Sequence, residues 1–266
     1  MSSTSMRREI YLNEIGVGPL WARRETISGA ADSMPENAAP QASCELADAA
    51  QFLSIEPDSG PAAAAAPSAA EIAQMDWPQL KAAVAGCVKC GLCKSRTRTV
   101  FGTGDDKAKW LFIGEGPGRN EDLQGEPFIG PAGRLLDNML LAMGLRRGDN
   151  AYIANIVKCR PIGADGRDRP PTPEEAAACR PYLERQIALL QPAVLVALGK
   201  TAGLSLVGGD ADTPVAQLRG KVHRYSGLPL IVTYHPAYLL RRLADKAKSW
   251  DDLCLALEAY AASRNQ

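Results

Sequence analysis

The residues with the most chemistry to offer are a set of cysteines, a glycine-rich turn, one asparagine and one histidine. Cys87-x2-Cys90 sets two thiols within one turn of chain, and Cys159 and Cys179 supply two more from a distant segment. The chain has seven cysteines, an odd number, in a sequence with no secretory signal, so clustered thiols read first as a metal site rather than as disulfides. Zinc, an iron–sulfur cluster and a redox dithiol all use a CxxC pair. A redox dithiol usually follows a strand of a thioredoxin-like fold, and no such strand precedes Cys87. A metal is therefore expected, and four thiolates by themselves do not separate zinc from a [4Fe–4S] cluster. Cys254 reads as a small buried hydrophobe, and Cys44 as a free thiol in a low-complexity stretch.

The second feature is Gly114-Glu115-Gly116-Pro117-Gly118, directly after an apolar run. A dinucleotide fingerprint would need glycine where Arg119 stands, and a phosphate-binding P-loop would need Gly-Lys-Ser/Thr, which is missing. What remains is a tight turn whose backbone N–H groups can approach a ligand closely. Glu121, Asp122, Phe128 and the small-residue run Gly130-Pro131-Ala132-Gly133 follow it. Taken alone, the two acids would be a solvated loop and Phe128 a core residue. His235, one of two histidines, precedes a proline at a predicted helix start, where a lone histidine is more often structural than catalytic.

The elements that must position these residues are legible from hydrophobic pattern. Trp110–Ile113, Tyr152–Val157, Ala193–Leu198 and Leu228–Thr233 read as buried strands. Helices are predicted over Pro131–Met143, from Thr172 with Pro173 at its first position and Glu175 closing a capping box, and around Thr201–Leu206, Pro236–Arg242 and Lys248–Ala262. Strands alternating with helices predict an α/β fold: one three-layer αβα domain around a central, mostly parallel four-stranded sheet. Ligands of such sheets bind beyond the carboxyl ends of the strands. Here those ends carry the glycine turn, Asn155 and His235.

Length and composition frame this reading. The 266 residues suffice for one large domain or two small ones, and 46% hydrophobic with 23% charged residues suits a soluble protein. No apolar run is long enough to span a membrane and no apolar segment follows the first arginines, so a cytoplasmic protein is expected. The zero net charge hides a split: residues 1–72 hold 4 basic and 10 acidic side chains, and residues 73–266 hold 26 basic and 20 acidic ones. Positions 29–72 contain 15 alanines and 5 prolines, a composition without the bulk to form a core. Residues 1–72 are thus read as a disordered acidic tail. Its short apolar segment over 9–21 offers a place for a protein partner, and residues 73–266 form the working domain.

Three segments together resemble the signature motifs of the type-4 uracil-DNA glycosylases: GEGPGRNEDLQGEPFIGPAGRLLD over 114–137, YIANIVKCRP over 152–161 and HPAYLL over 235–240. CVKCGLC…RTRTVFG over 87–102 is similar to that family's cluster-binding segment. The resemblance covers roughly residues 78–258. It implies a [4Fe–4S] cluster on Cys87, Cys90, Cys159 and Cys179, with Cys93 a bystander. It also implies that Phe128 stacks on a flipped uracil, that Asn155 reads the Watson–Crick edge, and that His235 lies beside uracil O2. Gly114 and Gly116 would shape the pocket, and Glu115 and Glu121 would lie at its mouth near the sugar. Where some glycosylases carry a water-activating aspartate in this turn, Gly116 stands here. The basic, histidine-containing loop of the branch that traps uracil covalently is not visible.

The expected activity is hydrolysis of the N-glycosidic bond of uracil in DNA, giving free uracil and an abasic site in base-excision repair by a monofunctional enzyme. A base inside a duplex must be extruded first, and preorganised donors must then stabilise the uracil anion. The alternative is a non-catalytic or uracil-trapping DNA-binding iron–sulfur protein. Leu239, Leu240, Arg241 and Arg242 are the expected contacts to the strand at the lesion. Uracil-containing DNA is the expected partner, no membrane is involved, and the chain is expected to act as a monomer.

Overall fold

The computed structural model describes residues 66–264. Six strands form one sheet: β1 Thr103–Gly104, β2 Trp110–Gly114, β3 Ala151–Asn155, β4 Val194–Leu198, β5 Val222–Tyr225 and β6 Leu228–Thr233, in the order β1-β3-β2-β4-β6-β5. The middle four are parallel and are the four strands expected from the sequence. Two short antiparallel edges extend them, β1 on β3 and β5 on β6.

The helices are α1 Ala69–Ile72, α2 Trp77–Ala85, α3 Arg119–Gln124, α4 Pro131–Ala142, α5 Pro173–Leu190, α6 Lys200–Val207, α7 Val215–Leu218, α8 Pro236–Leu239 and α9 Lys246–Ser263. Alternation along the buried strands builds two cores. Leu111, Ile113, Leu195, Ala197 and Val232 face α1, α2, α5, α6 and α7. Trp110, Phe112, Val194, Val196 and Ile231 face α4, α8 and α9. This is the three-layer αβα arrangement.

Local chemistry fixes where the helices start. Thr172 and Glu175 form the expected capping box at the head of α5, and Glu175 also pairs with Arg169 at 2.7 Å. Asp76 and Gln79 form another at α2. Ser68 with Glu71 caps α1, and Ile72 is fully buried in the first core. Among the described residues the packed core therefore already includes Ile72, before residue 73, because the small alanines of α1 frame one apolar anchor that the composition hides. The expectations for residues 1–65 lie outside the described residues. No helix among the described residues is long and apolar enough to cross a membrane.

The sheet reverses direction between β2 and β4. The helices after β2 lead to β3 on one side, whereas β4 leads to β6 on the other, with α4 and α6 on opposite faces. A crevice opens at such a switch point beyond the strand ends.

Candidate active site

Register brings the chemistry together. Gly114 pairs with Asn155 across β2 and β3, and Leu198 pairs with Thr233 across β4 and β6. The turn after β2, the end of β3, Gly199 and His235 thereby meet at one crevice. A cavity of about 430 Å³ opens there, with Glu115, Lys200, His235, Tyr238, Arg169 and Arg241 in its wall.

Asn155 is 2% exposed, and its Oδ1 has no hydrogen-bond partner among the described residues. A buried, unpaired amide oxygen is unfavourable unless a ligand supplies a donor. Gly114 makes room for it: a Cβ there would stand 2.4 Å from Asn155 Oδ1 and 2.6 Å from Phe128 Cζ. Only glycine lets the amide and the ring meet at the strand end. A Cβ on Gly116 would collide with Val157 at 2.8 Å, so the next glycine seats the turn on the segment after β3.

Phe128 is buried and holds a left-handed backbone, φ 56°, strained for a bulky residue. Its loop is clamped. Arg147 donates to Phe128 O and Pro127 O, both at 2.8 Å, and to Asp137 at 3.0 Å, while Glu121 Oε1 accepts from Ile129 N at 3.3 Å. The ring lies 5.5 Å from the His235 ring, inclined 28°.

His235 caps α8. Its Nδ1 accepts the Ala237 N–H at 3.1 Å. A backbone N–H can only donate, so Nδ1 is unprotonated and Nε2 carries the hydrogen. Burial holds the imidazole well below its ordinary range, at about 4, and nearby Arg241 pushes the same way. At neutral pH the ring is an uncharged donor. Glu115 accepts a hydrogen bond from the Thr201 hydroxyl, which spans the crevice from α6.

Of the sequence-predicted residues, Glu115, His235 and Arg241 line this cavity, and Gly114, Asn155 and Phe128 lie together at the strand ends. Glu121 is no part of the cavity wall, because its carboxylate is engaged on the Phe128 loop. Leu239 is fully buried in the second core and cannot meet DNA. Helix α8 stops after one turn, and this one-turn geometry drives Leu239 inward. Leu240, 42% exposed, and Leu243, 59% exposed, face outward beside the exposed Arg241 and Arg242. Sequence reasoning missed Thr201, Lys200 and Arg169. The first two follow the end of β4, a position that itself marks a site in such sheets. Arg169 lies on the segment between β3 and α5, which carries no regular pattern.

Cys87, Cys90, Cys159 and Cys179 line a second, tight cavity together with Cys93, Arg96, Lys158 and Tyr182. Among the described residues no three His, Cys, Asp or Glu side chains form a site for a single metal ion. Burial raises the thiols of Cys90 and Cys159 and pushes Cys179 up to about 12. Arg96 donates to Cys159 Sγ at 3.2 Å and to Cys87 O at 2.7 Å. Asp122, buried on α3, accepts from Thr97 N at 2.9 Å and so ties the chain after the cysteine turn to the active-site side. The Tyr182 hydroxyl is buried with no hydrogen-bond partner among the described residues.

At the strand ends an unpaired amide, an aromatic ring and a neutral imidazole thus lie together beside the crevice. Residues 101–254 match the model of the uracil DNA glycosylase superfamily. The chain is 44% identical over 165 residues to a type-4 uracil-DNA glycosylase of Archaeoglobus fulgidus, covering 60% of this chain and 80% of that protein. It is 39% identical over 188 residues to the type-4 uracil-DNA glycosylase of Pyrobaculum aerophilum, covering 68% and 93%. A type-5 uracil-DNA glycosylase of Thermus thermophilus is 35% identical over 119 residues, covering 40% and 52%. The chain belongs to the uracil DNA glycosylase superfamily and, within it, to the type-4 family.

Proposed function

We propose that this protein excises uracil from DNA by hydrolysing the N-glycosidic bond, in base-excision repair. The observation that carries the reading is the buried amide of Asn155, whose Oδ1 waits for a donor beside the Phe128 ring. Uracil N3–H would donate to that oxygen, and the amide N–H₂ would donate to O4, a pattern that cytosine cannot satisfy. Phe128 would pack on the face of the extruded base. As the bond breaks, its electron pair moves to the base, and charge gathers on N1 and O2. His235 Nε2–H is the donor for that charge, and a neutral imidazole gives up no proton to do so. Glu115, aligned by Thr201, would face the positive sugar or the water that adds to it; the proton released passes to the uracil anion or to solvent. Lys200, Arg169 and Arg241 would hold phosphates along the crevice, with Leu240 and Arg242 at the strand beside the lesion.

Cys87, Cys90, Cys159 and Cys179 are proposed to hold a [4Fe–4S] cluster, which when bound would staple the turn after α2 to α5 and the segment after β3. Four cysteine thiolates are the ligand set of such a cluster. Arg96 would balance the charge of the ligated sulfurs. All the proposed site residues come from one chain, so a monomer is proposed, acting in the cytoplasm, where thiols stay reduced.

The test is to incubate the purified protein with a uracil-containing strand, treat with alkali and look for a nick. Free uracil and a nick are expected. Binding without release, or a covalent adduct, would overturn catalysis in favour of a uracil-trapping protein.

A further inference from the structure

Lys158 is wholly buried, an unusual fate for a lysine. Its Nζ donates to the backbone oxygen of Asn155 at 2.9 Å, and its own N–H donates to Cys179 Sγ at 3.3 Å. Its carbonyl accepts from Val100 N at 2.7 Å, the next residue is Cys159, and its side chain lines the cysteine cavity. One lysine thus touches both sites. A buried ammonium requires counter-charge. None of the ion pairs among the described residues includes Lys158. The titratable groups that line this cavity are Cys87, Cys90, Cys93, Cys159, Cys179, Tyr182 and the cations Lys89 and Arg96. Among the described residues, Cys179 is the group whose charge favours the Lys158 ammonium.

We propose that Lys158 is a positioning residue that couples the metal-bound cysteines to base recognition. Cys179 accepts the Lys158 backbone N–H, Cys159 follows Lys158 in the chain, and Lys158 Nζ fixes the Asn155 carbonyl at the end of β3. That peptide is already anchored on one side, where Ile156 N donates to Gly114 O at 2.9 Å. With Lys158 on the other side, the Asn155 carboxamide has a single direction in which to present its donor and acceptor. The inference rests on the glycosylase and cluster readings above and assigns the cysteine site a part in substrate recognition. Coupling of this kind is reciprocal: whatever engages Asn155 must also be felt at the cysteines.

The experiment uses the full-length holoprotein, with iron measured first. The cluster's reduction potential is recorded by voltammetry on a duplex carrying an uncleavable uracil analogue and on the same duplex carrying thymine, so that the DNA charge cancels. The two potentials are expected to differ in the wild type and to coincide in Lys158→Met, which keeps length and packing but removes charge and donor. Lys158→Met is also expected to bind the analogue about tenfold more weakly, with unchanged affinity for the thymine duplex. Equal potentials in iron-loaded wild-type protein overturn the coupling, and this arm decides even if the variant does not fold. Wild-type analogue affinity in an iron-loaded Lys158→Met overturns it too. Absence of iron from the wild type sinks the cluster reading instead, and the coupling with it.

Discussion

At the scale of single residues, the candidate pocket separates recognition from charge stabilisation. Asn155 is proposed to read a neutral edge, so Asn155→Asp should weaken binding of an uncleavable uracil analogue by at least about tenfold, since a carboxylate accepts but does not donate. His235 is proposed to act on charge that appears only as the bond breaks. His235→Ala should therefore lower the single-turnover rate by on the order of a hundred- to a thousandfold with little change in analogue binding. Loss of activity through lost binding alone would make His235 structural. The imidazole also predicts a pH profile. With its value lowered to about 4, His235 stays neutral throughout the neutral range, so kcat/KM should show no histidine step between pH 8 and about 6 and should fall only as the pH nears 4. The sign for stability agrees. Unfolding restores an ordinary histidine, the unfolded chain takes up the proton first, and stability drains away as pH falls from about 6.5 towards 4. A kinetic step near pH 6.5 removed by His235→Ala would contradict the buried, neutral ring.

Among the elements, β6 and α9 are joined by a buried polar network that supports the histidine segment from behind. Asp252, with its side chain fully buried, accepts from Thr233 Oγ1 at 2.8 Å, Arg219 Nε at 2.9 Å and Gly220 N at 3.0 Å. Burial raises its carboxyl despite these donors. Asp252→Ala would strand three donors, one of them cationic, and should destabilise by about 3 kcal/mol, seen as a lower Tm. A change below about 1 kcal/mol would mean that water replaces the carboxylate. These connections also show what the sequence could convey. The four parallel strands were legible because each is a short, mostly apolar run between breakers. The edges were not: β1 is two residues long, and β5 alternates exposed with half-buried positions. The helix expected over Pro236–Arg242 stops at Leu239, because the following residues turn into a 3-10 segment, Leu243–Asp245, drawn back by Tyr238 Oη donating to Asp245 at 2.6 Å. That tertiary bond turns Leu239 from an expected DNA contact into a core residue. Asn155, Phe128 and His235 could be singled out because motif and strand end coincide. Thr201 and Arg147 could not, since each acts through a partner far away in sequence, and the Lys158 bridge could not, since burial of its side chain is set by the tertiary fold.

For the whole molecule, the decisive property is how charge is divided along the chain. Residues 1–65 carry 4 basic and 9 acidic side chains, so removing them takes the chain from zero net charge to +5. Every residue of the candidate pocket and of the cysteine cavity lies beyond that stretch. A protein starting at Ala66 keeps Ser68, the cap of α1, and Ile72 in its core, whereas one starting at residue 73 would lose both. The Ala66 form should keep turnover on short uracil oligonucleotides within about twofold. It should also bind undamaged DNA several-fold more tightly at low salt, because the deleted carboxylates compete with phosphates for the same cations. Screening should erase that gain as ionic strength rises towards 1 M, where the Debye length shrinks to about 3 Å. Turnover and salt titration on both forms check the two halves of the claim. A loss of more than tenfold in turnover would make the first 65 residues part of the catalytic unit. A gain in affinity that persists at high salt would show that they cover the DNA-binding face by contact rather than by charge.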